Sequence, residues 1–194
     1  MKFRAAFALA PIVLLSACGL NSVPTAEENA KAKWANVQAA YQRRADVVPQ
    51  LVATAKAASG GSENTILTKV TQARASAGAV QLAPGDLSDP AKVAAFQAAQ
   101  TQLGSALRVT VEAYPQLQSQ KTFQTLQEQI EGNENRITIA IRDYNEAVQA
   151  YNTRIRTFPD SIGASVFYGA KPMVPFQAKA GGDTAPTVEF GNNF

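Results

Sequence analysis

The chain has 194 residues, no histidine, one cysteine and a formal net charge of +3. The absence of histidine excludes Ser-His-Asp and Cys-His nucleophile systems, histidine-ligated zinc and the Glu-x-x-His di-iron site. A single cysteine forms no internal disulfide, so the fold must rest on its hydrophobic core.

Lys2 and Arg4 precede an apolar run from Ala5 to Leu15. A run of about eleven residues is too short to span a bilayer, which needs roughly 20, but it suits the apolar region of a secretory signal. It ends Leu15-Ser16-Ala17-Cys18, an aliphatic residue, two small ones and a cysteine, which resembles the lipobox of bacterial lipoproteins. On this reading residues 1–17 are a lipoprotein signal peptide and Cys18 carries the lipid that holds the chain at a membrane. Residues 18–24 are then a lipidated tether. Losing Lys2 and Arg4 lowers the net charge to about +1, so no nucleic-acid partner is expected. The expected location is a membrane surface facing the periplasm. Gly19, rather than aspartate, after the cysteine favours the outer membrane over the inner.

Beyond the tether, apolar residues recur at three and four, the pattern of amphipathic helices. Thr25-Ala26-Glu27-Glu28 reads as a capping box that opens a first helix running to about Ala58. Trp34, Val37, Tyr41, Val48, Leu51, Val52 and Ala55 line one face. Pro49 predicts a kink, because it removes an amide donor and crowds the carbonyl of Ala45. Gly60-Gly61 ends the segment, and Ser62 is the expected cap of a second helix bearing Ile66, Leu67, Val70, Ala73 and Ala77. A loop from about Leu82 leads to Asp89-Pro90, an N-cap followed by proline at the first helical position. Val93, Phe96, Leu103, Leu107, Val111 and Tyr114 form the third stripe, which Pro115 breaks.

The fourth stripe is the longest. Phe123, Leu126, Ile130, Ile137, Ile141, Tyr144, Val148, Tyr151, Ile155 and Phe158 predict a rod of roughly 50 Å, stopped at Pro159. The expected fold is all-α: an elongated antiparallel bundle of about four long helices over residues 25–159. Residues 160–194 form an irregular extended C-terminal tail, anchored by Phe167, Tyr168 and Phe176.

Several of these segments resemble the LemA family. Arg43-Arg44-Ala45-Asp46-Val47-Val48-Pro49-Gln50-Leu51-Val52 is similar to its R-R-x-D-x-x-P-x-L-V segment. Glu112-Ala113-Tyr114-Pro115-Gln116-Leu117 is similar to E-x-Y-P-x-L. Phe123 to Leu126 and Glu131-Gly132-Asn133-Glu134-Asn135-Arg136-Ile137 resemble F-x-x-L and E-G-x-E-N-R-I. Arg142, Tyr144-Asn145, Val148 and Tyr151-Asn152 resemble its R-x-Y-N-x-x-V-x-x-Y-N continuation. The likeness covers roughly Trp34 to Pro159, in family order and spacing. It implies an elongated helical bundle held at a membrane, and an address rather than a reaction. Many relatives carry a histidine-glutamate pair where this chain has Gly61-Ser62-Glu63-Asn64.

Twelve polar residues are candidates for a buried network, expected to be structural: Arg43, Arg44, Asp46, Glu112, Glu131, Glu134, Arg136, Arg142, Tyr144, Asn145, Tyr151 and Asn152. Arg44 and Glu134 fall where two apolar stripes continue, so a buried pair fixing helix register is expected. Glu128, Glu131 and Glu134 step by three, a solvated face rather than a metal site. Ser59-Gly60-Gly61-Ser62 lacks the lysine of a phosphate loop and reads as a turn. Two Tyr-Asn pairs seven residues apart share one helix side, with rings inward and polar tips outward. No catalytic residue, cofactor or metal is expected. The expected function is a non-enzymatic scaffold or interaction module with a protein partner. The alternative is a ligand-binding or accessory subunit of an envelope enzyme such as a peptidase.

Overall fold

The computed structural model describes residues 2–58 and 65–177, with side chains from Asn21 onward. Four long helices, α1 (Lys2–Ala58), α2 (Thr65–Ala79), α3 (Pro90–Glu112) and α4 (Lys121–Arg154), are followed by one turn, α5 (Asp160–Gly163). No strand occurs among the described residues. The fold is the expected all-α bundle.

Its directions follow from the pairs that meet. Lys33 and Arg44 of α1 reach Asp143 and Glu134 of α4, so these helices are antiparallel. Arg74 of α2 reaches Ala45, and Gln38 reaches Leu82 just beyond α2, so α2 runs back along α1. The order is up-down-up-down, with α1 packed chiefly on α4 and α2 on α3.

α1 begins earlier than expected. The helix continues through residues 18–24, the expected tether, and Thr25 is interior rather than a cap. Its hydroxyl donates back to the carbonyl of Asn21 at 2.7 Å. Val23 is fully buried among bundle residues, and such tertiary contact outweighs the loop-like composition of Gly19 to Pro24. The signal-peptide reading and the Cys18 side chain lie outside the described side chains. The expected Gly60-Gly61 stop and Ser62 cap lie outside the described residues.

Pro49 leaves α1 unbroken. The Ala45 carbonyl that it deprives of a helical donor accepts instead from Arg74 Nε at 3.0 Å. The loss inside one helix thus becomes a contact that docks α2. At the start of α3, Asp89 caps as expected, its carboxylate accepting from the amides of Ala91 and Lys92 ahead of Pro90. The connection before it is not merely a loop. Pro84–Ser88 forms a 3-10 turn whose Leu87 is buried, beside buried Leu82.

α4 stops at Arg154, before Pro159, and Phe158 lies outside the core at 81 % exposed. The tail also departs from a uniform extended wrap. α5 runs into a π-helical turn, Ala164–Tyr168, which Gly169 ends at φ +54°, a left-handed conformation that glycine adopts without penalty. Only then does the chain extend over residues 170–177. Phe176 is an anchor as expected, whereas Phe167 and Tyr168 face outward and Met173 takes the second buried place. Gly163 and Ala164 turn the small side of the helical turns to the bundle, which sends the large side chains out.

The interior is divided into two apolar cores. One unites Trp34, Tyr41, Phe96, Ile137, Tyr144 and Phe176. The other unites Leu51, Val70, Leu103, Leu107, Leu117 and Phe123. Phe176 packs on Trp34, Phe96 and Tyr144 with ring centroids 5.5 to 6.2 Å apart. A tail residue therefore completes the first core. Phe176→Ala should cost about 3–5 kcal/mol, measured by urea unfolding, as removal of a buried ring does. A loss near zero would mean that the tail packs without supporting the bundle.

Candidate functional site

The residues between the two cores form a polar layer in which all four long helices take part. Arg44 of α1 is nearly enclosed, with 4 % of its side chain exposed, whereas Glu134 of α4 keeps 45 %. Arg44 Nη1 donates to Glu134 Oε1 at 3.0 Å. Arg44 Nη2 donates to the Gln100 carbonyl at 2.6 Å and to its side-chain oxygen at 2.9 Å. Gln100 Nε2 passes the chain on to the Ala77 carbonyl of α2 at 3.4 Å. The guanidinium also lies 4.9 Å from the centre of the Tyr41 ring, a cation–π distance.

Two residues missed by pattern reading make this possible. Gln100 interrupts the α3 stripe between Phe96 and Leu103, an anomaly the spacing itself displays. Gly104 stands beside the guanidinium, where an added Cβ would lie 3.1 Å from Arg44 Nη1. A side chain there would be a tight fit, and the guanidinium would have to give by a few tenths of an ångström.

The expected symmetry of the pair needs correction. The buried position of α4 is Asn133, which bonds the Arg43 carbonyl at 3.4 Å, and Glu134 sits on the flank and reaches in. Straight extension from Ile130 by four misplaces the stripe by one residue, because a 3.6-residue period alternates steps of three and four.

The twelve candidate residues do not form one network. Arg44 and Glu134 belong to the polar layer. Arg43, Asp46 and Arg136 line an open cleft of about 460 Å³ between α1 and α4, together with Glu128. Glu112 and Glu131 border a different groove, with Arg108. Arg142 lies on the surface against Asp143 and Glu146. The three glutamates that step along α4 thus part company, Glu128 to one groove and Glu131 and Glu134 to another. Among the described residues no three acids gather as a cation site would need.

The last four candidates do meet, as a clamp on the tail. Asn152 both accepts from the Met173 amide at 2.9 Å and donates to the Met173 carbonyl at 2.8 Å. Asn145 does the same to Phe176, at 2.8 and 2.9 Å. The hydroxyls of Tyr151 and Tyr144 donate to the carbonyls of Lys171 and Val174, each at 3.1 Å. Seven helical residues advance about 10.5 Å and three extended residues about 10 Å, so one heptad of α4 reads one Pro-containing triplet of the tail. Lys171-Pro172-Met173 and Val174-Pro175-Phe176 are the two triplets. On the other side the Val174 amide donates to the Leu87 carbonyl at 2.8 Å.

Burial pushes the Tyr41 hydroxyl up to about 12, with Arg44 opposing and Glu134 adding to the shift. Burial likewise raises Tyr144 and Tyr151. The polar groups at the centre of this protein are thus held neutral or paired, and face other parts of the same chain.

The family model for LemA matches residues 33–190, most of the chain, including every element of the layer and the clamp. The chain belongs to the LemA family. No curated protein matches it. The segments by which the sequence resembles LemA now have physical roles here. The arginine-rich segment supplies the buried cation and one wall of the open cleft. The repeated Tyr-Asn pairs supply the clamp.

Because Arg44 is enclosed and Glu134 is half in water, the two partners of the ion pair are not equivalent. Glu134→Leu strands a buried guanidinium and should cost about 3 kcal/mol. Arg44→Met frees Glu134 to turn to solvent and should cost only about 1–2 kcal/mol, chiefly from the Gln100 oxygens it leaves. Urea unfolding of both single variants and the double variant checks this order, and the double should resemble Arg44→Met. The raised Tyr41 sets a pH window. Below pH 10 its contribution is complete, since both states hold the proton. As pH rises through 10 toward 12 the unfolded state ionises first and stability falls. Tyr41→Phe should make the urea midpoint fall less steeply over that window.

Proposed function

We propose that this LemA-family chain is a lipid-anchored, non-enzymatic scaffold or interaction module on the periplasmic face of a bacterial envelope membrane. The basic pair Lys2 and Arg4, the apolar run Ala5 to Leu15 and the ending Leu15-Ser16-Ala17-Cys18 support the anchor. Gly19 favours the outer membrane. One observation carries the non-enzymatic reading. Several polar side chains of the LemA-like segments are engaged within the fold, Arg44 by Gln100 and Glu134, and both Tyr-Asn pairs by the tail. Such groups organise a surface rather than a reaction.

Among the described residues no helix is long and apolar enough to cross a membrane. A lipid on Cys18 supplies the attachment in this proposal. A second reading, an accessory subunit for an envelope enzyme such as a peptidase, draws on the open cleft. Arg43, Asp46, Glu128 and Arg136 present both signs of charge there on exposed side chains, suited to a polar protein partner.

One labelling experiment tests the anchor and the partner together. Wild-type cells grown with labelled fatty acid should yield labelled protein in the membrane fraction. Cys18→Ala should yield unlabelled precursor or soluble chain. A membrane pull-down with the labelled protein should retain a partner, which Arg136→Ala in the cleft should release if the second reading holds. Wild-type labelling of Cys18→Ala would overturn the lipid assignment. Turnover of an envelope substrate by the purified chain alone would overturn the non-enzymatic one.

A further inference from the structure

Most of the large apolar side chains that the bundle leaves in water belong to one short segment. Phe158, Ile162, Val166, Phe167 and Tyr168 are exposed, with Phe158 at 81 % and Phe167 at 67 %. Outside this segment only Val109 and Ile139 are comparable among the described residues. Ile162 and Val166 are spaced by four, so the helical turns from Asp160 to Tyr168 carry them along one side, and exposed Phe158 lies just before these turns. The opposite side is small: Gly163 and Ala164 are buried, and Ala164 joins the core that includes Val23.

The position of this segment is fixed by the antiparallel register of α1 and α4. Lys33 meets Asp143, so eleven residues further along α4 and eleven back along α1 place Arg154 level with Ser22. α5 follows directly and packs on α1. The apolar tip therefore lies near Val23, five residues from Cys18, or about 7.5 Å along the helix axis. The charges around it are of both signs, with Lys31 paired to Glu27 and Glu28 on the adjoining stretch of α1. Arg156 and Lys171 are exposed at this end, and Arg154 holds the nearby Asp160 at 3.4 Å.

We infer that this tip is a membrane-docking surface. Its occupant is the boundary between headgroups and acyl chains of an anionic bilayer. An apolar face rich in aromatics, with exposed cations such as Arg156 and Lys171 beside it, is what that boundary receives. A single acyl attachment would leave a rod such as this free to swing about its anchor. A second contact at the same end of the bundle would set its orientation, as two-signal anchoring does. The inference gains from the lipid on Cys18 proposed above, but the exposed face and its charges are independent of that lipid.

The test uses the full chain in vesicles of phosphatidylethanolamine and phosphatidylglycerol, with and without brominated phosphatidylcholine. Phe167→Trp and, separately, Ile162→Trp place a reporter in the tip. Trp34, the one native tryptophan, is buried and is subtracted with the wild-type protein. The added emission should shift to the blue on vesicle addition and lose most of its intensity with brominated lipid. Replacing Phe158 and Val166 by Ser should abolish that quenching without changing the helical circular dichroism. Mass analysis of Cys18 separates the two claims. A lipidated Cys18 with unquenched tryptophans overturns the docking surface and leaves the anchor standing. An unlipidated Cys18 with quenched tryptophans does the reverse. Tryptophans that are shielded from brominated lipid but cross-link to a second copy or another protein would overturn the lipid assignment of the tip.

Discussion

A guanidinium taken out of water in the middle of a helical bundle needs acceptors, and Arg44 finds them for Nη1 and Nη2 on two other helices, while its buried Nε has no partner. The cost of leaving it unmet is several kcal/mol, comparable to the whole stability of many domains. That cost constrains the geometry around it. α3 must present Gln100 at one height, Gly104 leaves room one turn further on, and α4 must bring Glu134 to the rim. Sliding any one helix by a turn would break the set. Apolar cores above and below tolerate sliding far better, since one aliphatic contact replaces another. The layer between them is what gives the four helices a single alignment.

The tail obeys a second geometric rule. A helix and an extended chain share no common period residue by residue, yet seven steps of one nearly equal three of the other. Asparagine suits the match because its amide offers a donor and an acceptor together, as a neighbouring backbone would. The triplets 171–173 and 174–176 place Met173 and Phe176 inward at the same interval, while the prolines, which have no amide to satisfy, face solvent. Phe176 then enters the ring cluster around Trp34. The clamp is thus both a hydrogen-bonded seam and the closure of a core.

Much of the fold was legible beforehand. The stripes of α3 and α4, the Asp89-Pro90 start and the antiparallel arrangement all rest on local rules that operate within a few residues. The candidate site was legible only in parts. The Tyr-Asn repeat and the Arg44–Glu134 pairing were visible as spacing, but Gln100 and Gly104 were not, since neither residue type announces a role on its own. The tail aromatics show the same divide. Phe176 and Phe167 look alike in sequence, and one is core while the other is surface. Nothing local separates them. The small residues Gly163 and Ala164 decide which side of the turn meets the bundle.

What the sequence determined by itself, then, was family, helical class, the order of the elements and the presence of polar residues on apolar stripes. These follow from periodicity and caps, which act through the backbone at short range. Tertiary structure alone decided that Gln100 joins Arg44 and Glu134, that Arg74 takes the carbonyl freed by Pro49, and that the tail supplies a core ring. Those outcomes depend on where a second or third element lies, to within a fraction of an ångström. A linear pattern carries no information on that distance until the helices are packed.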